Sequence, residues 1–348
     1  MKFYTKQHNF YCGIDLHARC LYLCILNQNG EVVLHKNIKA TPHALLDAIR
    51  PYRENLVIGV ECMFTWYWVA DLCEKEGIPF ILGHALYMRA IHGGKAKNDK
   101  IDSHKIATLI RGGMFPMAYV YPARMRASRD LMRRRMHLMR KRSELLAHIH
   151  NTNSQYNHPE IKKNLRYAFN REGIAERFEH ESARKSIELD ISLIEFYDKQ
   201  LSKIEWHIKK HATQVDYQSL MILKSVPGIG HILSLVILFE IDDIHRFPRV
   251  QDFVSYCRLV KCKKESAGKT YGTSGRKIGN AFLKWAFSEA AVLFLRGNPE
   301  AQAWVEAKAN KHNKAKALTI LAHKIARAVY AMLKHKTVFN QQRLLGHG

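Results

Sequence analysis

The 348-residue sequence predicts an α/β domain at its N-terminal end and two helical regions after it. Three observations support this fold class. Three strand-like segments come first, apolar and helical segments then alternate to about residue 82, and long helical patterns replace both from residue 124. These shifts place the domains at residues 1–122, 123–215 and 216–348.

The first domain has a recognisable order of elements. Its predicted strands are residues 11–17, 21–27, 31–38, 56–61 and 79–82. The dipeptide Asn29-Gly30 forms a hairpin turn between the second and third strands. Helices are predicted over residues 42–52 and 64–76, and Gly77 ends the second. Three successive strands followed by alternating helices and strands is the chain order of an RNase H-like domain.

The charge of the chain indicates its partner. Lys and Arg number 55 against 31 Asp and Glu, a formal net charge of +24. Basic side chains gain affinity for nucleic acid because neutralising phosphates releases counterions. The hydrophobic share of 47% excludes a wholly disordered basic tail. The longest apolar run, residues 232–239, is far shorter than the ~20 residues of a membrane span, and we see no signal peptide. We therefore expect a soluble, cytosolic protein.

The second region begins with a strongly basic segment. Residues 124–142 hold nine basic residues against one acid, Asp130. Within it, Arg133, Arg134 and Arg135 are candidate nucleic-acid contacts. Further on, an apolar residue recurs every seven positions, at Ile187, Ile194, Leu201 and Ile208. This stripe predicts either a short coiled coil between chains or a helix packed inside its own domain.

Acidic residues of the first domain are candidate metal ligands. Asp15 and Glu61 lie in apolar strands, where an acid is costly unless it is paired or binds a metal. Asp99 and Asp102, spaced i, i+3 at the start of a helix, can share one face, although either alone is more often an N-cap. Four such carboxylates form a cage of oxygen ligands suited to Mg²⁺. An actin-like ATPase also begins with an acidic strand, but no glycine-rich phosphate loop follows Asp15 here.

The third region contains two candidate phosphate-binding segments. Val226-Pro227-Gly228-Ile229-Gly230 lies between two helical segments and has the form of a helix-hairpin-helix. Gly228 and Gly230 would let its backbone approach a phosphate; an ordinary helix–helix turn is the alternative.

The second segment, residues 261–280, is rich in Gly, Ser and Lys and is predicted to be a loop. Ser266 is a candidate nucleophile toward a phosphodiester, and Lys269 and Arg276 are candidates to neutralise the phosphate. A passive phosphate-binding loop is the alternative.

These motifs, taken in order, resemble the transposases of the Piv invertase and insertion-sequence one-ten family, the DEDD recombinases. The resemblance covers nearly the whole chain. In the first domain it rests on Gly13-Ile14-Asp15, Val60-Glu61 and Asn98-Asp99-Lys100-Ile101-Asp102. In the last domain it rests on Val226 to Gly230, Phe253 to Leu259, Ser266-Ala267-Gly268-Lys269, Gly279 to Lys284, and Ser288-Glu289-Ala290-Ala291.

The resemblance implies a RuvC-like first domain whose tetrad is Asp15, Glu61, Asp99 and Asp102 and which binds Mg²⁺. It implies a helical transposase domain with a catalytic serine that links covalently to DNA. Ser266 matches the serine that family members carry just before Gly-Lys, and Ser274 is the alternative. The resemblance also implies a circular element intermediate, a homo-oligomer (dimer or tetramer) and a structured guide RNA encoded by the element.

The function expected from the sequence is therefore DNA strand exchange by transesterification, in a prokaryotic cytoplasm and in association with the nucleoid. A metal-dependent junction nuclease that cuts with water, and uses Ser266 only to contact phosphate, is the first alternative. A nucleic-acid-binding protein without enzymatic activity is the second.

Overall fold

The computed structural model describes residues 2–91, 98–212, 216–274 and 278–346. The chain forms two compact units, Met1–Ala123 and Arg124–Gly348. The three domains set out from the sequence stay a prediction.

The first unit is built around a five-stranded mixed sheet. The strands of this unit are β1 Phe3–Tyr4, β2 Phe10–Leu16, β3 Cys20–Asn27, β4 Val32–Lys39, β5 Leu56–Glu61, β6 Phe80–Gly83 and β7 Phe115–Pro116. The sheet order is β4-β3-β2-β5-β6, and β1 pairs separately with β7. Strands β2, β3 and β4 are antiparallel neighbours, whereas β5 and β6 run parallel to β2. The predicted strands recur within one or two residues, and the arrangement is compatible with an RNase H-like domain.

Helices cover this sheet. They are α1 Pro42–Ile49, α2 Tyr67–Lys75, α3 Ala85–Ile91 and α4 Asp99–Arg111. The apolar side chains of α1 and α2 pack with those of the central strands in one core, in which Leu45, Val69 and Ile58 are fully buried. Helix α2 begins three residues later than predicted, because residues 62–66 form a loop after β5.

Two long helices open the second unit. They are α5 Ala123–Gln155 and α6 Glu181–His211. The heptad stripe of α6 is buried within this single chain, since Ile187 and Ile194 pack in one core with Ile149 of α5 and with Phe178. Ile208, at the other end of the stripe, belongs to the larger core of the unit. The stripe therefore packs inside its own unit, the second of the two interpretations that the sequence left open.

The remaining helices enclose the large apolar core of the second unit. They are α7 Tyr217–Lys224, α8 His231–Ile241, α9 Val250–Tyr256, α10 Ala281–Phe294, α11 Pro299–Lys311, α12 Lys314–His335 and α13 Gln341–Leu345. The most apolar of them, α8, is buried along most of its length, as its continuous run of Leu, Val and Ile predicts.

The segment between α9 and α10 departs from its prediction as a loop. It forms an antiparallel hairpin of β8, Cys262–Ser266, and β9, Lys269–Ser274. Its two turn residues, Ala267 and Gly268, have φ values of 49° and 73°. Two successive positive φ angles are the requirement of a type I′ hairpin turn. The loop prediction was wrong because Gly-, Ser- and Lys-rich composition outweighed the pairing that this turn permits.

Candidate active site

Two of the predicted carboxylates lie on neighbouring parallel strands. In the register of β2 and β5, Gly13 is paired with Gly59 and Ile14 with Val60. One residue further along, Asp15 and Glu61 are adjacent at the same edge of the sheet. Because side chains alternate between faces, both acids lie on the face that Gly13 and Gly59 share.

Helix α4 crosses this face directly over the two glycines. A Cβ atom on Gly13 would lie 2.3 Å from the backbone nitrogen of Ala107 and 2.3 Å from the carbonyl oxygen of Ser103. A Cβ atom on Gly59 would lie 2.4 Å from Cδ1 of Ile110. These distances are shorter than van der Waals contact, so only glycine lets the helix approach the sheet this closely. The approach brings the first turn of α4 toward Asp15.

That first turn carries the other two predicted acids. Asn98 caps the helix, since its Oδ1 accepts a hydrogen bond from the backbone nitrogen of Ile101 at 2.8 Å. Because Asn98 is the N-cap, neither Asp99 nor Asp102 has that role, which was the structural alternative to metal binding for these two acids. Asp102 lies 3.6 Å from Nζ of Lys105 through its Oδ1.

The structure brings Asp15 and Asp99 together around a histidine. Nε2 of His17 lies 3.5 Å from Oδ2 of Asp15 and 3.4 Å from Oδ1 of Asp99. One potential ligand atom from each of these three residues lies within 4.8 Å of the others. Within the described ranges, this set does not extend to Glu61 or Asp102. The structure thus places Glu61 on the next strand and Asp102 one helical turn along, outside the tightest group.

Electrostatics at Asp15 agree with a cation site. Burial raises the pKa of the Asp15 carboxyl above its ordinary value, and the charges of Asp99 and Asp102 raise it further, whereas His17 lowers it in part. A bound divalent cation would relieve this repulsion, and the carboxylate oxygens and imidazole nitrogen are all donors that such ions accept. The donor set therefore fits a divalent metal ion.

His17 is the residue of this group that the sequence interpretation missed. It follows Asp15 by two positions, so the alternation of a strand places both side chains on one face. That spacing was the available signal. Its weakness is that β2 ends at Leu16, one residue before the histidine.

The second unit presents the candidate nucleophile at a hairpin tip. Ser266 is exposed and is the last residue of β8, directly before the turn. It is paired in register with Lys269, which is also exposed. Cross-strand partners share a face of the hairpin, so a hydroxyl and an ammonium group lie side by side there. The alternative serine, Ser274, ends β9, and Arg276 lies outside the described residues.

The two glycines of the predicted helix-hairpin-helix occupy different surroundings. Gly228 has a φ of +85°, and a Cβ atom there would lie 2.6 Å from the backbone nitrogen of Phe294 in α10. Its lack of a side chain is thus required by internal packing. Gly230 caps α8, and a Cβ atom there would meet nothing within 4 Å. Of the two, Gly230 has the open surroundings that a phosphate contact needs.

The three arginines predicted to contact nucleic acid differ in their surroundings. Arg133 donates from Nε to Oε1 of Glu240 at 2.6 Å, and Arg135 donates from Nε to Oε1 of Glu205 at 2.7 Å. Both therefore form ion pairs inside the second unit. Arg134 is exposed, which leaves its guanidinium accessible to a phosphate.

The sequence interpretation missed a buried polar network around Glu240, which includes Arg133. Glu240 of α8 is 2% exposed. Its Oε2 accepts hydrogen bonds from Nε of Arg129 at 3.0 Å, from Nη2 of Arg133 at 2.9 Å and from Nδ2 of Asn280 at 2.7 Å. Oδ1 of Asn280 in turn caps α10, accepting from the backbone nitrogens of Phe282 and Leu283. The signal was an acid at the end of an apolar run, which requires buried partners.

Carboxylates at the ends of adjacent strands, facing the acidic start of a helix, are the kind of donor set found in metal-dependent enzymes that act on phosphodiesters, such as nucleases and polymerases. Comparison with known proteins agrees with this class. Residues 12–158 match the DEDD transposase family of IS110, described as "Transposase". Residues 220–306 match the family described as "Transposase IS116/IS110/IS902 family". Together the two matches cover about two thirds of the chain.

Individual relatives carry related names. The chain is 19% identical to the transposase for insertion sequence element IS1111A of Coxiella burnetii, over 94% of this chain and 90% of that protein. It is 24% identical to the transposase for IS1328 of Yersinia enterocolitica, over 41% of this chain and 43% of the relative.

The chain belongs to the IS110 family of DEDD transposases. It is an insertion-sequence transposase, an enzyme whose partner is DNA, and its family indicates a divalent metal ion. In the part of the chain that the structure describes, no helix has the length and apolar character needed to cross a membrane.

Proposed function

We propose that this transposase exchanges DNA strands by transesterification, with Ser266 as the nucleophile and with Mg²⁺ held by Asp15, Glu61, Asp99 and Asp102. The observation that carries the proposal is the convergence of Asp15 and Asp99 at the edge of the sheet, at His17. The pKa of Asp15 is raised by burial first and then by the charges of Asp99 and Asp102, and a partly buried carboxylate next to other acids is stabilised by a bound cation.

The chemistry of the serine follows from its position. The hydroxyl of Ser266 loses its proton as Oγ forms a bond to phosphorus, and the bond from phosphorus to the departing strand oxygen breaks. That oxygen gains a proton. The ammonium of Lys269, beside Ser266 on the hairpin, neutralises charge that develops on the phosphate. A hydroxyl of the incoming strand then attacks the phosphoserine and releases the serine.

The carboxylates contribute by holding the metal. Asp15 and Asp99 would hold the metal ion, and Glu61 and Asp102 would complete its ligands. A divalent ion bound there would supply stabilisation of the charge on the attacking and leaving oxygens. Because the phosphoester bond is conserved in the covalent intermediate, no ATP is consumed.

The basic surface supports the nucleic-acid partners of the proposal. A net charge of +24 exceeds the need of a few phosphate contacts. We assign phosphate contacts to Arg134, Gly230, Lys269 and Arg276, and we include a structured guide RNA and a homo-oligomer in the proposal. Recovery of RNA with the protein from its host cells, followed by sequencing of that RNA, tests the guide. Light scattering of the purified protein tests the oligomer.

The decisive experiment is covalent trapping. Purified protein is incubated with Mg²⁺ and a nicked DNA substrate that carries the end of the insertion element encoding this protein. Protein–DNA adducts are then separated under denaturing conditions. Wild type should form an adduct and exchange strands, and Ser266→Ala should lose both while binding DNA normally. Ser274→Ala is the matched control and should keep both. If the two variants exchange roles, Ser274 is the nucleophile and Ser266 is excluded.

Two other results would overturn the proposal. Cleavage that continues in Ser266→Ala and Ser274→Ala, without an adduct in wild type, would identify a nuclease that uses water. Strand exchange that is unchanged in Asp15→Asn would show that the carboxylate site takes no part in the reaction.

A further inference from the structure

An exposed apolar pair stands in the loop that follows Glu61. Phe64 is 82% exposed and the neighbouring Met63 is 46% exposed. A phenylalanine this exposed does not gain the free energy of burial that normally places this residue in a core. A side chain of this kind in a loop at a candidate catalytic edge indicates contact with a ligand.

Hydrogen bonds and packing hold this loop in place on both sides of Phe64. The backbone nitrogen of Cys62 donates to the carbonyl oxygen of Gly83 at 2.9 Å, and that of Met63 donates to the carbonyl oxygen of Glu61 at 2.8 Å. On the other side, Trp66 is buried and its ring stacks with Phe80 at a centroid distance of 6.4 Å. The ring of Phe64 is therefore presented from a fixed backbone.

The loop is also tied to the strand that carries the acidic group. Oγ1 of Thr65 donates to the carbonyl oxygen of Leu16 at 3.3 Å. Leu16 separates Asp15 from His17, and Glu61 lies three residues before Phe64. The residue after Phe64 therefore contacts the strand end between Asp15 and His17, and Phe64 itself follows Glu61 by three positions along the chain.

We propose that Phe64 stacks on a base of the DNA strand whose phosphate is held at the carboxylate site, and separates that base from its neighbour. The inference rests on the proposed function, since it requires the scissile phosphate to bind there. A phenyl ring has no hydrogen-bonding group, so it contacts any base through its face and does not read sequence. An apolar side chain inserted at a base step unstacks it and bends the strand toward the protein. Phe64 is thus a positioning residue for the reacting phosphate.

The experiment measures base unstacking apart from catalysis. Element-end DNA carries 2-aminopurine, whose fluorescence rises when it is unstacked, at each position around the cleavage site in turn. Protein carrying Ser266→Ala, in Mg²⁺, keeps the metal that would hold the phosphate and leaves the DNA intact, so it should raise the fluorescence at one or two adjacent positions. Adding Phe64→Ala should remove this rise, and Phe64→Ala alone should slow cleavage in Mg²⁺ by about 5- to 100-fold, the loss expected for one stacking contact.

Matched variants separate the ring from other effects. Phe64→Trp keeps an aromatic face and should restore both signals. Phe64→Leu keeps an apolar wedge without a ring face, so it should raise the fluorescence less than the phenylalanine does. Phe169→Ala removes a 74% exposed ring in the second unit, one that stacks on Tyr167, and should behave as wild type. Circular dichroism should be unchanged in all of them, because the ring of Phe64 contributes little to the core.

The outcomes keep the two proposals apart. If wild type cuts DNA but Phe64→Ala gives the same fluorescence and the same rate, the stacking role is refuted while the proposed function stands. If wild type forms no adduct and cuts no strand, the proposed function fails. A Phe64→Ala variant that keeps DNA binding and cleavage but loses an interaction with another protein would assign the ring to a protein partner and overturn the inference.

Discussion

Replacing Glu240 by Gln tests the buried network of the second unit most directly. The carboxylate is almost fully removed from water and accepts hydrogen bonds from Arg129, Arg133 and Asn280. Glutamine keeps the size of the side chain but removes its charge and one acceptor oxygen. Two guanidinium groups, of which Arg129 is itself buried, would then lose the carboxylate charge that both of them contact.

The expected loss of stability follows from this geometry. Removing one partner of a buried ion pair lowers the free energy of unfolding by about 3–5 kcal/mol, since the remaining charge stays uncompensated. In a unit of this length, 1 kcal/mol corresponds to roughly 2–4 °C in the melting temperature. We therefore expect Glu240→Gln to lower the melting temperature of the second unit by about 10 °C.

Acid should reproduce part of this loss. Burial by itself raises the pKa of Glu240, but the hydrogen bond from Arg133 and the charges of Arg129 and Arg133 outweigh it, so the pKa lies below its ordinary value. A carboxyl whose pKa is depressed on folding stabilises the protein above its unfolded pKa, about 4.3. That stabilisation is lost as the pH falls below this value, through the folded pKa.

Urea unfolding followed by circular dichroism at pH 7, and at a series of pH values from about 5 down to about 2, measures both effects. Glu144→Gln is the control, because its pair with Lys141 is on the surface and exposed pairs contribute about 0–1 kcal/mol. If Glu240→Gln unfolds within 1 kcal/mol of wild type, as the control should, the network does not stabilise the unit and the argument is wrong.

Three further outcomes are expected. Gly13→Ala should unfold the first unit or lower its free energy of unfolding by several kcal/mol, since the new methyl group would overlap the backbone of α4. Gly77→Ala has open space around it but a φ of +66°, so in the same thermal melt it should lower the free energy of unfolding by only about 1 kcal/mol. In EDTA, Asp15→Asn should melt at or above the wild-type temperature, because the substitution removes a repelled carboxylate. In saturating Mg²⁺ it should melt below wild type, since metal binding at 100 times Kd adds about 2.7 kcal/mol to the stability of wild type. If the two melting temperatures have the same order in both buffers, the cation site is contradicted. Hydrogen bonds from Lys336 and Ser219 lower the pKa of Asp216 to about 2, so the stability that Asp216 provides should be lost between about pH 4 and pH 2. Lys336→Met removes the largest of these causes and should weaken this dependence in an acid titration, while the hydrogen bond from Ser219 keeps part of it.

The sheet could be predicted from the sequence because each of its strands has a strong local signal. Strand β5 was predicted with its observed bounds, since Leu56 to Val60 is a continuous apolar run that ends in an acid. The hairpin at residues 262–274 could not, because its turn is Ala-Gly and its strands are polar. Strands β1 and β7, of two residues each, are too short to have a pattern.

The sequence could propose the acids of the candidate site but not their arrangement, and the role of the four acids as metal ligands stays a prediction. Asp15 and Glu61 were found because charge in an apolar strand is costly. His17 had only its spacing of two residues from Asp15 as a signal, and its contact with Asp99 depends on the position of α4 across the sheet. The sequence also could not show that Arg134 is exposed while its two neighbours are ion-paired. The partner of Arg133, Glu240, is 107 positions away, and the partner of Arg135, Glu205, is 70 positions away.

The direct crossing of α4 over Gly13 and Gly59 has a consequence for how this enzyme can change over time. The distance between the acids on β2 and those on α4 is fixed by main-chain atoms in contact, with no side chain between them at Gly13. Substitutions of core leucines and isoleucines other than Ile106 and Ile110, which contact these glycines, should therefore leave the spacing of the ligands unchanged. Divergent copies of the element would keep a working catalytic centre as long as these two crossing points carry no side chain.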